Sequence, residues 1–197
     1  MNARDAILGR LRRVRIDAPE LPPTDGPWTS PADRRAAFVA QVAAVGGEVV
    51  EVAPAELPAR IAQTAAAREV RVAWSAVEEW PRRDRALVDP HDAEEIELAV
   101  VRGAFGVAEN GAIWIPEAGL EPRSVLFLTQ HLGVVLAADD LVDHMHAAYA
   151  RLAARGDVER GFGAFVSGPS KTADIEQALV LGAHGACTLT VFLVKEP

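Results

Sequence analysis

The sequence predicts an α/β fold built on a mainly parallel β-sheet that is covered on both faces. Helical and strand-like patterns alternate along the chain from Pro31 onward, which is typical of parallel strands joined by helices. The strand-like runs are short and apolar, as buried strands are. The chain has 197 residues, 50% of them hydrophobic, which suits one globular domain with a sizeable core.

The composition excludes several classes of function. The formal net charge of −8 argues against general nucleic-acid binding, which needs a basic face. Cys187 is the single cysteine, so the chain forms no internal disulfide and supplies no complete iron–sulfur or multi-cysteine zinc site. No motif indicates a metal site. No apolar run is long enough to span a bilayer and the first residues lack a secretory signal, so we expect a cytoplasmic protein without a membrane partner.

The first 31 residues are predicted to stand apart from the α/β domain. Residues 1–13 place Ile7, Leu8 and Leu11 on one side of a short amphipathic helix. Five prolines from Pro19 to Pro31 indicate an extended connector. We therefore divide the chain into an N-terminal helix (residues 1–15), a proline-rich connector (16–31) and an α/β domain (32–197).

Spacing and composition define the elements of the domain. Phe38, Val42 and Val45 follow one another at helical intervals, residues 55–67 are rich in alanine, and residues 138–154 carry an apolar stripe. The predicted helices are residues 31–45, 55–67, 138–154 and 171–181. Short apolar or alternating runs between them predict strands at residues 48–52, 69–74, 98–102, 124–129, 133–136, 162–166 and 188–194. Pro81 and Pro90 leave residues 78–92 unassigned.

The segment from Ser167 to Glu176 places small, polar and charged residues between a strand and a helix. Gly168 allows a tight exit from the strand, and Ser170 or Thr172 is suited to capping the helix. The free N–H groups of the first helical turn, with Lys171, would then bind a carboxylate or a phosphate. Alternatively this is an ordinary helix cap, whose positive end is occupied by Asp174 and Glu176, or one of these acids binds a substrate hydroxyl or a metal. The glycine, lysine and threonine spacing does not match a Walker loop.

A second informative segment is the Glu109-Asn110-Gly111 turn, which lies between apolar runs. Asn-Gly is a strong signal for a tight hairpin. The turn also presents a carboxylate that could act as a general base or as a nucleophile. Both segments follow or flank predicted strands, so we expect them beyond the carboxyl ends of the sheet, where ligands bind in such folds.

Two histidines accompany these segments. His184 lies between Gly182 and Gly185, after the predicted helix, and is either a site residue or a residue that interacts with the helix C-terminus. His131 follows a predicted strand and could face the cleft.

These motifs resemble the signature of the lactate-utilisation (LUD) domain family, and in particular its small single-domain members. The resemblance rests on Ser167-Gly-Pro-Ser-Lys-Thr-Ala-Asp-Ile-Glu176, on Gly182-Ala-His-Gly185, on the Glu-Asn-Gly turn and on the segment 123–135 with His131. It covers roughly residues 31–194. It implies a three-layer α/β sandwich shared with sugar-phosphate isomerases, formyltetrahydrofolate cycloligase and CoA-transferases. Lys171 stands where the family usually has Arg, and Asn110 where it has Thr, so ligand details do not carry over.

The resemblance implies a component of bacterial L-lactate oxidation to pyruvate that acts with iron–sulfur partner proteins and binds a small carboxylate or phosphate-bearing metabolite. No cofactor is predicted on this chain, and whether it catalyses turnover stays open. The predicted catalytic residues are Glu109 and His184, and the predicted ligand-binding residues are Gly111, Ser167, Gly168, Ser170, Lys171, Thr172, Asp174 and Glu176. Two alternatives remain: a stand-alone CoA-transferase-like enzyme that uses Glu109, and a non-catalytic interaction subunit that docks through its first helix and connector.

Overall fold

The computed structural model describes residues 2–14, 20, 26–118, 120, 122–155, 161–172 and 180–195. Its helices are α1 (Ala3–Arg13), α2 (Arg34–Ala44), α3 (Leu57–Ala67), α4 (Val125–Leu128) and α5 (Met145–Arg155). Its strands are β1 (Glu48–Val52), β2 (Ala73–Ser75), β3 (Leu98–Arg102), β4 (Phe105–Val107), β5 (Ile113–Pro116), β6 (His131–Ala137), β7 (Leu141–Val142), β8 (Gly163–Val166), β9 (Lys171–Thr172), β10 (Val180–Leu181) and β11 (Thr188–Val194).

A five-stranded sheet in the order β1–β11–β6–β3–β2, with every pairing parallel, forms the centre of the described structure. Its side chains alternate between the two faces, as strand geometry requires. Leu98 and Val100 lie in the core beneath α3, together with Ile61. Ala99 and Val101 point to the opposite face and lie in the larger core cluster. The predicted α/β class with a mainly parallel sheet is therefore confirmed.

The second face of the central sheet is covered by α2 and by a mixed four-stranded sheet in the order β7–β4–β5–β8. Phe38 and Val42 of α2 are fully buried there. The outer side of this second sheet is covered in turn by α5, through Ala148 and Leu152. One covering layer thus contains strands as well as a helix, because the chain between β3 and β6 forms the hairpin β4–β5 before it returns to the central sheet.

Several predicted elements have the predicted bounds or nearly so, among them β1, β3 and β11, and four need correction. The strand predicted at residues 69–74 is confined to Ala73–Ser75, since only these residues pair with β3. Residues 124–129, predicted as a strand, contain α4; Val125 and Leu126 are buried while the next two residues are exposed, a pattern that does not alternate. The helix predicted at 138–154 begins only at Met145, since Leu141 and Val142 pair with β4. Within 171–181, Lys171 and Thr172 pair with the residues of β10 in an antiparallel ladder, and residues 173–179 lie outside the described part.

The N-terminal helix α1 begins at the predicted place, where the Asn2 side chain accepts a hydrogen bond from the Asp5 N–H at 2.9 Å. None of its residues is buried. Much of the proline-rich connector (15–19 and 21–25) lies outside the described residues, so the division at residues 15 and 31 stays a prediction. No described helix is long and apolar enough to cross a bilayer.

At the amino edge of the central sheet, a polar clamp joins α3 to the first residues of three strands. Arg68, just after α3, donates hydrogen bonds to Thr188 and, at 3.0 Å, to the buried Thr190, and it forms an ion pair with Glu48. The His131 ring nitrogen Nδ1 lies 2.9 Å from the Thr188 hydroxyl.

Burial lowers the pKa of His131, and the Arg68 guanidinium lowers this pKa further, while Glu97 opposes the shift.

We predict that Gly111→Ala destabilises the fold by about 1–3 kcal/mol, which a urea unfolding curve will measure. Gly111 has a φ of +67°, and a Cβ there would lie 2.8 Å from the Val42 backbone nitrogen. Gly9→Ala is the control, because a Cβ at Gly9 meets nothing within 4 Å. Equal stability of the Gly111 variant and the wild type would contradict this packing.

We predict that His131 makes stability fall as the pH decreases below about 6.5, the ordinary pKa of histidine. Its lowered pKa means that the unfolded chain binds the proton first, so the contribution of His131 is complete above that pH and is lost below it. Unfolding of wild type and His131→Gln between pH 5 and 8, approximately the range over which histidine titrates, measures this contribution. The two proteins share every other titratable group, so parallel pH profiles would refute the prediction.

Candidate functional site

The structure brings the two predicted segments side by side. The Ser167 hydroxyl donates a hydrogen bond of 2.8 Å to the Asn110 carbonyl oxygen. The cause is the antiparallel pairing of β5 with β8, in which Ile113 opposes Val166. The turn that precedes β5 and the loop that follows β8 must therefore emerge at the same end of the second sheet.

The Glu109-Asn-Gly segment forms the predicted tight hairpin turn between β4 and β5. The Gly111 N–H donates to the Val107 carbonyl at 2.9 Å, and the Asn110 side-chain oxygen accepts from the Ala112 N–H at 3.0 Å. The positive φ of Gly111 closes the turn and lets it approach the backbone of α2 closely. Asn110 and Gly111 thus have a structural reason for their places.

We expected the Ser167–Glu176 segment to lie beyond the carboxyl ends of the parallel strands, and this expectation is wrong. The Ser170 N–H donates to the Ala186 carbonyl at 2.9 Å, and the Cys187 N–H donates to the Gln130 carbonyl at 2.8 Å. Ala186, Cys187 and Gln130 immediately precede β11 and β6, so the segment lies at the amino edge of the central sheet. This happens because the strand before it, β8, belongs to the second sheet and not to the parallel one.

Lys171 lies over the C-terminal end of α2, where its ammonium group donates a hydrogen bond to the Val45 carbonyl oxygen. The interaction places a positive charge at the negative end of the α2 dipole. A lysine ammonium has three donors, and this contact uses one of them. The predicted helix does not begin at Lys171, since Lys171 belongs to β9. Among the described residues, the lysine and the neighbouring hydroxyls are what remains of the predicted anion site.

Ser170 is held in place by three hydrogen bonds. Its N–H and its carbonyl are bonded to Ala186 and Gly182, and its hydroxyl oxygen accepts from the His184 N–H at 3.3 Å. This contact uses a lone pair of the hydroxyl oxygen and not its proton. A Cβ at Gly185 would lie 3.2 Å from the Ser170 Cβ, so the glycine leaves room for this arrangement.

A cleft of about 290 Å³ opens beside these residues, and we call it the Ser170 cleft. Its polar side is formed by predicted site residues: Ser167, Ser170, Lys171 and the exposed His184, with Gly168 between them. Its other side is apolar and includes Leu126, Phe127, Leu132, Phe165 and Leu189. An apolar wall facing a few fixed polar groups is the usual form of a small-molecule site.

The other predicted site residues lie elsewhere or have other partners. The Glu109 carboxylate accepts a hydrogen bond of 2.9 Å from the Met145 N–H at the start of α5, and Glu109 does not line the Ser170 cleft. Gly111 packs against α2. Thr172 lies in β9, opposite Val180. Asp174 and Glu176 lie outside the described residues.

Sequence reasoning missed the apolar wall and a second cleft. The apolar wall was not predicted because α4, which supplies Leu126 and Phe127, was predicted as a strand. The second cleft, of about 450 Å³, lies at the amino edge between Arg68, Arg71, Glu97 and His131. Hydrogen bonds from the Arg71 backbone N–H and guanidinium lower the pKa of Glu97 to about 2, so this carboxylate stays charged. In the sequence, this second cleft is indicated only by polar residues at or just before the start of strands, such as Glu97 before β3 and His131 at the start of β6.

The described residues contain no group of three His, Cys, Asp or Glu side chains that could hold a metal ion. The predicted absence of a metal site concerned the whole chain, and residues such as Asp174 and Glu176 lie outside the described part.

Comparison with known proteins supports the resemblance seen in the motifs. The chain is 32% identical over 107 residues to "Lactate utilization protein C" of Bacillus pumilus, which is 53% of this chain and 45% of that protein. It is 28% identical over 183 residues to the protein of that name from Geobacillus kaustophilus, covering 88% of this chain and 73% of that one. The chain thus spans less than half the length of the first of these relatives.

A crystal structure of a DUF162 family protein from Deinococcus radiodurans has the same fold. It superposes with a TM-score of 0.65 at 20% sequence identity, over 83% of this chain and 99% of that one. The LUD domain model matches residues 90–194, which include the Glu109 turn, the Ser170 cleft and the last strand. Since this match covers more than half of the sequence, the chain belongs to the LUD domain family.

Proposed function

We propose that this protein serves lactate utilisation and that its Ser170 cleft binds a small carboxylate such as lactate or pyruvate. The role is supported by family membership and by the relatives named "Lactate utilization protein C". The binding site is supported by the cleft in which Ser170, Lys171 and His184 meet.

We propose a carboxylate because the Ser170 hydroxyl and the Lys171 ammonium group lie opposite an apolar wall in the same cleft. Two donors of the Lys171 ammonium and the Ser170 hydroxyl proton would hold the carboxylate. The short carbon chain of the acid would lie against Leu126 and Phe165. Charge-assisted hydrogen bonds of this kind contribute about 1.5–3 kcal/mol each, and desolvation and ordering reduce the net affinity.

Oxidation of lactate to pyruvate releases two electrons and two protons, which need an acceptor. The single Cys187 cannot supply the thiolate set of an iron–sulfur cluster. In this proposal the acceptor resides in iron–sulfur partner proteins in the cytoplasm, and this chain binds the organic acid.

We predict that wild-type protein binds lactate or pyruvate saturably in calorimetric titrations and that Lys171→Met weakens binding about 10-fold or more, because a charged donor is lost. Ser170→Ala should weaken it several-fold. Lys195→Met is the matched control: Lys195 is the other lysine of the chain, it pairs with Glu51, and it does not line the Ser170 cleft.

Lack of saturable binding at tens of millimolar ligand would refute the binding proposal. Equal losses in the Lys171 and Lys195 variants would also refute it, because they would reflect net charge and not the cleft.

Glu109 distinguishes this proposal from the CoA-transferase alternative, because it does not line the Ser170 cleft but would be the nucleophile of a transferase. We predict that Glu109→Ala changes lactate affinity by less than about twofold and lowers stability by about 0.5–1 kcal/mol, since the carboxylate stabilises the N-terminus of α5. Intact-mass measurement after incubation with an acyl-CoA should show no adduct on wild-type protein. A hydroxylamine-sensitive adduct that disappears in Glu109→Ala would favour the transferase instead.

A further inference from the structure

The chain carries an unequal distribution of charge. Residues 1–15 contain five arginines and one aspartate, a formal charge of +4, so the other 182 residues carry −12 of the total of −8. Within this basic segment, α1 and the residue that follows it expose three large apolar side chains: Ile7 is 58% exposed, Leu11 62% and Val14 63%. An eleven-residue helix is marginal in water unless it packs against something. Helix α1 therefore has the composition of a docking element.

Arginine residues flank the exposed apolar face of α1. Ile7 and Leu11 are spaced by four residues and share one face of the helix, and Val14 follows the end of α1 in an extended conformation. At about 100° per residue, Arg4 and Arg10 flank this face, while Arg13 lies on the opposite side. The fitting surface is thus apolar at its centre and acidic at its rim.

Such a surface exists on the body of this chain, and we call it the acidic shelf. It consists of the short 3-10 helix Pro90–Glu95 with the residues just before it, and of α4 beside it. The Ser124 hydroxyl joins the two by donating to the Pro90 carbonyl at 2.5 Å. The acids are Asp89, Asp92, Glu94 and Glu95, and the exposed apolar residues are Val88 (91%) and Leu128 (40%). Phe127 of α4 belongs to the wall of the Ser170 cleft and is not counted in the shelf.

We propose that α1 of one copy of this chain docks its apolar stripe on the acidic shelf of a second copy. A twofold axis makes the exchange reciprocal, so two helix–shelf contacts close the dimer and double the buried area. The eleven residues from 15 to 25 reach at most about 40 Å, which is enough to join neighbouring copies. In its own chain, α1 buries no residue.

The negative charge of the rest of the chain favours docking of α1 on a second copy over binding to an anionic membrane. A basic amphipathic helix binds anionic lipid when nothing opposes the approach. Here the body that follows α1 carries −12 and would be repelled by such a surface. The same −12 attracts the α1 of another copy.

Sedimentation velocity of the full chain over roughly 1–200 μM, a range that brackets micromolar dissociation constants, tests the dimer. Arg10→Glu places a like charge against the shelf and should raise the dimer dissociation constant about 10-fold. Glu94→Arg should have a similar effect; Glu94 is exposed, whereas Glu95 already pairs with Arg85. The double variant Arg10→Glu/Glu94→Arg should recover most of the wild-type affinity.

Arg13→Glu is the matched control, because it makes the same change of charge on the far side of α1 and should leave the dissociation constant within about twofold. Leu11→Ser should weaken the dimer without changing net charge. These positions are exposed and lie outside the Ser170 cleft, so loss of the dimer with intact lactate binding separates this inference from the proposed function.

Three results would overturn the proposal. The first is a wild-type monomer throughout the concentration range. The second is a dimer that does not respond to Arg10→Glu, or whose loss Glu94→Arg does not repair. The third is binding of full-length monomer to vesicles rich in phosphatidylserine, with no self-association.

Discussion

The candidate site depends on close approach of two glycine turns to the C-terminal end of α2. A Cβ at Gly111 would lie 2.8 Å from the Val42 nitrogen, and one at Gly168 would lie 2.6 Å from the Val45 carbonyl oxygen. Both glycines have positive φ, at +67° and +72°, so both the space and the backbone conformation exclude ordinary side chains. This packing brings Ser167 against the Glu109 turn and Lys171 against Val45. The pairing of β5 with β8 places the two segments at the same end of the second sheet, and the glycine turns then hold both against α2.

The parallel sheet could be predicted because its strands are buried on both faces and read as short apolar runs. Leu98–Arg102 and Thr188–Val194 were identified with the correct bounds for this reason. The Glu109-Asn-Gly turn was predictable because its geometry is local: φ of Gly111 and the Asn110 side chain decide it. The small, polar and charged residues of the Ser167–Lys171 segment, and then the family resemblance, located it but did not predict its geometry.

The remaining features depend on contacts between distant parts of the chain. The ladder that replaces the predicted helix start at Lys171 depends on Ser170 being bonded to Gly182 and Ala186. The four residues of α4 are too few for apolar periodicity to distinguish a helix from a strand. Arg68 and Thr188 are 120 positions apart, and no local pattern pairs them.

The contact between Lys171 and α2 also bears on which anion we propose as the ligand of the Ser170 cleft. The C-terminal end of α2 carries about half a negative charge, which offsets part of the charge on Lys171. A phosphate dianion would meet this partial negative charge, and among the described residues of this segment no helix begins at Lys171 to offset it. A carboxylate carries one charge, needs fewer donors, and has a carbon chain that gains from the apolar wall. These residues are our reason for proposing a small organic acid, and not a phosphate, as the ligand of the Ser170 cleft.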